Sequence, residues 1–173
     1  MKTIRIISIL FLACGAFTVS AEAQRKKPAP RKPPARVLPP LDVRAAREKV
    51  TVQRDNLNLF LDRLGPVTLS IEALDKQSKT RPLRKASHDL NERAKQNVVL
   101  GIRNFRTAMS NLETEFRTKP MLSKYMVNIQ GITTLSQQSE DAAVAGRFVA
   151  SREPLRTVLQ KLSDTLAVMP AAQ

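Results

Sequence analysis

From residue 43 onward the apolar positions step by three and four without a slip: Val43, Ala46, Val50, Gln53, Leu57, Phe60, Leu64, Val67, Ile71 and Leu74. Side chains at that spacing share one face of an α-helix, whereas a strand alternates every second residue. Nothing in residues 42–173 alternates with period two over a useful length, so strands are not expected. Strict three-four stepping is the a/d seam of a coiled coil, here with one polar member, Gln53.

Asp42, preceded by Pro39-Pro40-Leu41, is the expected N-cap of this first helix. Gly65-Pro66 lies inside the seam. The pair can end one helix and open another, or kink a single long one. The phase passes through it unbroken, which favours the kink, although a helix-interior Pro costs about 3 kcal/mol.

Residues 76–85, KQSKTRPLRK, read as the following turn, with Thr80 as a cap and Pro82 opening the second helix. Leu83, Ala86, Leu90, Ala94, Val98, Ile102, Phe105, Met109, Leu112 and Phe116 mark its apolar face, with a mean step near the straight-helix period. Two long helices of matched length joined by a short turn imply an antiparallel pair.

Lys119-Pro120 breaks the chain again. A third helix is expected over residues 121–145, with Leu122, Met126, Ile129, Ile132 and Leu135 on one face and Gly131 weakening its middle. A turn at Gly146-Arg147-Phe148 leads to a last helix, capped by Ser151, with Leu155, Val158, Leu159, Leu162 and Leu166 as its stripe. Pro170 should end it near Met169. Residues 142–155, with Gly, a basic residue and an aromatic between small-residue helices, resemble the turn of a tetratricopeptide hairpin. The likeness covers one hairpin, and the 34-residue repeat does not recur. The fold class is therefore all-α: an antiparallel four-helix bundle over residues 42–170, with a long first pair kinked at Gly65-Pro66.

The N-terminal segment reads differently. Lys2 and Arg5 precede residues 6–19, which carry no charge, and Ala21-Glu22-Ala23 follows. That order is a secretory signal peptide over residues 1–23, with cleavage expected after Ala23. The apolar run is shorter than the ~20 residues of a membrane span. Cys14 closes Phe11-Leu12-Ala13-Cys14, which faintly resembles the lipobox of bacterial lipoproteins. Phe11 and Leu12 match it poorly and the apolar run continues past Cys14, so it reads as a residue of the signal core, and the mature chain then has no Cys. Export to the periplasm or the medium is expected.

Residues 24–41 hold six prolines and six cations, Arg25, Lys26, Lys27, Arg31, Lys32 and Arg36, with no acid. Proline denies this arm a regular helix, and charge repulsion extends it, so a disordered linker is expected.

Composition removes most chemistry. One His and one Cys cannot build a Cys/His zinc site or a haem-attachment motif. Isolated glycines form no phosphate loop, and neither HExxH nor GxSxG occurs. His88 and Glu92 share a helix face at i, i+4, but no second His completes a site. Met109, Met121, Met126 and Met169 are expected to fill core gaps rather than ligate haem. Glu113 and Glu115 point to different faces, which suits no acid/base pair. Neither an enzyme nor a cofactor is expected.

Charge is the informative signal: 29 Lys+Arg face 15 Asp+Glu, a formal net charge of +14. Lys76, Lys79, Arg81, Arg84 and Lys85 cluster at the first turn, and Arg93, Lys95, Arg103 and Arg106 follow on the second helix. A basic turn plus a basic arm can grip an anionic surface at two points. The expected function is a non-enzymatic, exported helical protein binding an anionic envelope component or a partner protein. The alternatives are an extracytoplasmic chaperone for unfolded clients and a haem- or metal-binding bundle. The aromatics offer no stacking platform, so specific nucleic-acid binding is not expected.

Overall fold

A computed structural model describes residues 39–171. The expected signal segment over residues 1–23, Cys14 and the six arm cations lie outside the described residues. The chain forms α1 (Leu41–Thr80), α2 (Lys85–Thr118), a 3-10 turn (Pro120–Tyr125), α3 (Met126–Ile129), α4 (Ile132–Val144) and α5 (Arg152–Val168). The described residues are all-helical and contain no strand.

α1 runs unbroken through Gly65-Pro66. Pro66 removes the N–H that would meet the Asp62 carbonyl. Both residues are exposed, so water can meet that carbonyl. Asp42 is not the N-cap; Pro40 holds that position, and Asp42 sits in the first turn, where its charge complements the helix dipole. The buried face departs from the strict seam. Leu61, Gly65 and Thr68 are buried, while Val67 is exposed. A straight helix drifts about 20° per heptad from a 3.5-residue repeat, so the core face moves one position on after two heptads. The buried Thr68 hydroxyl is satisfied within its own turn, donating to the Gly65 carbonyl at 3.0 Å.

α2 begins at Lys85 rather than Pro82, and Thr80 does not cap it. The Thr80 hydroxyl donates backward to the Gln77 carbonyl at 2.9 Å. Val98, Ile102, Met109, Leu112 and Phe116 are buried as expected, but Ala86 and Leu90 are exposed.

The expected third helix is three pieces. Pro120 starts a 3-10 turn, and the chain breaks at Gln130-Gly131, where Gly131 takes φ 87°. That left-handed conformation suits Gly and ends α3 after one turn. Met121, expected in the core, is exposed; Met109 and Met169 are buried. Ser151 precedes α5, but its hydroxyl donates to the Phe148 carbonyl at 2.7 Å rather than capping the helix.

Cross-helix contacts set the packing. Lys49 meets Glu115, Phe60 meets Phe105 and Asp75 meets Asn91, so numbers rise along α1 as they fall along α2. α5 lies on the other flank of α1. Arg47 Nη1 donates to the carbonyls of Leu166 and Met169, both at 2.6 Å, and Glu72 accepts the Val149 N–H at 2.9 Å. α4 packs on α2 and α5. At ~1.5 Å per residue the 40-residue α1 and 34-residue α2 span roughly 60 and 50 Å, against ~20 and ~25 Å for the 13-residue α4 and 17-residue α5. No buried apolar residue lies between Ile71 and Val98. The α1–α2 turn is thus a two-helix tip beyond the core.

Candidate functional site

The tip owes its shape to Pro82. Its fixed φ and its effect on the residue before it hold Arg81 extended at φ −151°, which ends α1 and lets the chain reverse. The turn gathers Lys76, Lys79, Arg81, Arg84 and Lys85, all exposed. None of the five forms an ion pair within 4 Å among the described residues.

The nearby acids are engaged elsewhere. Asp75 Oδ1 accepts from Asn91 Nδ2 and from Lys95 Nζ, both at 2.7 Å, and Glu92 holds the same Lys95 at 2.8 Å. Burial pulls the Lys95 pKa down, but the two carboxylates outweigh it and leave the ammonium above its ordinary value. Asn91 is buried where the pattern placed apolar Leu90. This polar clasp substitutes for a hydrophobic core across the tip.

The remaining basic residues of α2 are less available. Arg103 and Arg106 both engage Glu140 of α4, at 2.8 and 3.2 Å, and Arg106 also donates to Gln137. Glu140 is only 5% exposed, so this is an interhelical structural pair. Arg93 stays exposed beside the tip.

Glu113 has a role the sequence did not disclose. Its carboxylate accepts the N–H of Gly131 and of Thr133, each at 3.1 Å, at the start of α4. A side chain of α2 therefore caps α4 across the helix interface, which Gly131 cannot do for itself. Burial acts to raise its pKa. The Thr133 hydroxyl, the two N–H groups and Arg117 more than offset this and hold the carboxyl below its ordinary range. Glu115 is lowered similarly: burial opposes, while Lys119 and Lys49 prevail. The two carboxylates serve different helices, as their spacing implied.

His88 is exposed, 3.7 Å from Asp89. Among the described residues no three His, Cys, Asp or Glu side chains converge to hold a metal ion. No described helix is long and apolar enough to cross a membrane. A groove between α1 and α2, lined by Ala45, Val52, Ala108 and Leu112, is bordered by the Lys49–Glu115 ion pair and offers no convergent reactive groups.

Leu90 is 66% exposed beside the basic turn, and Leu83 is half-buried within it. The sequence placed both on the core face. The buried apolar core of α2 starts only at Val98, where the shorter α4 meets it, and this leaves Leu90 on the surface. No protein-family model, curated protein or solved structure matches the chain.

Proposed function

We propose that the chain is an exported, non-enzymatic binding protein that attaches to an anionic component of the cell envelope, or to an acidic partner protein, through the α1–α2 turn and the basic arm. The helices are read as an antiparallel four-helix bundle, which the cross-helix register supports. The observation that carries the function is the tip: five exposed cations without an ion-pair partner among the described residues and with no acid among residues 76–85, held past the end of the core. Unpaired charges at a projecting end create a field that like-charged or neutral surfaces do not reward. Substituting all five with Gln should release the protein from isolated envelopes at lower salt and flatten the salt dependence of binding. Unchanged elution would overturn the proposal.

A second reading, a chaperone for unfolded clients, draws on the exposed Val52, Leu59 and Leu100 along the long pair. Suppression of client aggregation that survives the five-Gln substitution would favour it.

A further inference from the structure

We propose that the α1–α2 turn seats on an anionic lipid bilayer, with its cations on the head groups and Leu83 and Leu90 in the interface. This rests on the reading that the turn cations bind an anionic surface, and it names that surface. Leu83 stands in the turn and Leu90 five residues into α2, so both lie within roughly 8 Å of the helix start along the helix axis, close enough for one interfacial contact. Lys76, Lys79, Arg81, Arg84 and Lys85 are exposed in the same turn and on the helix ends that flank it.

Charge and apolarity together select the partner. A nucleic acid or other polyanion in solution would reward the cations and leave Leu83 and Leu90 in water, and the tip holds no aromatic for stacking. A bilayer rewards both classes of side chain. Asp75 and Glu92 do not oppose the approach, because Lys95 and Asn91 occupy them. Asp89, beside the exposed His88, is the one acid of the tip not held by a Lys or Arg. The clasp also keeps the two helix ends together while no apolar core supports them, so the tip meets the surface as one body.

The chain contains no Trp, so Leu90→Trp places a single reporter at the tip and Val127→Trp, at an exposed position on α3, serves as the control. The protein is used in the form its host exports, with circular dichroism verifying that each variant folds. Vesicles of phosphatidylglycerol and phosphatidylcholine in equal parts are compared with phosphatidylcholine alone. On the anionic vesicles the L90W emission should shift to the blue and be quenched by brominated lipid, and V127W should show neither. Each turn cation replaced by Gln should lower the partition coefficient about fivefold. The paired substitution Leu83→Ser, Leu90→Ser should lower it about tenfold.

Co-sedimentation without a change in L90W emission would overturn insertion and leave the electrostatic reading standing. So would cation-dependent binding to polyphosphate with none to vesicles. Binding to both that ignores the five cations would overturn the inference and the functional reading together.

Discussion

Removing the Glu113 carboxylate should unfasten α4. The side chain is 6% exposed and accepts two backbone N–H bonds from a helix start that has no cap of its own. A hydrogen bond to a charged group contributes about 1.5–3 kcal/mol, and losing an N-cap costs about 0.5–2 kcal/mol. Glu113→Ala leaves both donors without a partner except for entering water, so a loss of about 2–4 kcal/mol is expected. Glu113→Gln keeps one acceptor and the shape but loses the charge, so about 1–2 kcal/mol is expected. Arg117, which approaches Glu113 at 3.3 Å, is largely exposed, and Arg117→Ala should cost at most about 0.5 kcal/mol.

The pH dependence gives the sharper test. A carboxyl held below its ordinary value of 4.5 contributes stability that is complete above that pH and disappears as the pH falls through the lower, folded value. The wild-type advantage over Glu113→Gln should therefore be constant from about pH 6 to 8 and shrink as the pH falls through 4.5 and below. Urea unfolding followed by circular dichroism measures it. A loss below about 0.5 kcal/mol for Glu113→Ala, or a difference for Glu113→Gln that persists undiminished in acid, would refute the cap.

Three further outcomes are expected. Pro66→Ala restores an N–H on an exposed helix face and should stabilise the protein by about 1–3 kcal/mol; destabilisation in thermal melts would mean that α1 needs the proline to meet α5. A Cβ on Gly101 would stand 2.8 Å from the Phe60 ring, so Gly101→Val should cost about 1–3 kcal/mol by overpacking, and Phe60→Leu should recover part of that loss; additive effects in a double-mutant cycle would exclude the clash. Asp75→Ala removes the acceptor shared by Asn91 and Lys95 and should speed amide hydrogen exchange in residues 73–97 at least tenfold while leaving α5 unchanged; uniform protection would contradict a separately clasped tip.

Helical class, the α1–α2 reversal and most of the core face were legible because period and punctuation are local properties. Gly65-Pro66 did not break α1, as the continuous phase implied. Four features were not read from the sequence. Leu90 follows the pattern of Val98 and Ile102, yet only the lengths of α4 and α5 decide that the core stops before it. Gly131 announced a weak point, but its conversion into a full break depends on Glu113, eighteen residues away on another helix. Val67 gave way to Thr68 because a straight helix does not keep heptad time. The turn cations were visible as a cluster, whereas the loss of Arg103 and Arg106 to Glu140 required the α2–α4 interface.

The Arg47 clamp on the Leu166 and Met169 carbonyls has a topological consequence. It brings the start of α1 and the end of α5 to one end of the helical body, with the α1–α2 turn at the other. A short glycine-serine bridge from residue 170 to residue 40, with new ends opened near Arg81-Pro82, would give a circular permutant that keeps every cross-helix contact described. In that permutant α1 and α2 would be farthest apart in the chain instead of consecutive. Its folding rate would then show whether the long hairpin forms early because its halves are neighbours in sequence or because their surfaces fit.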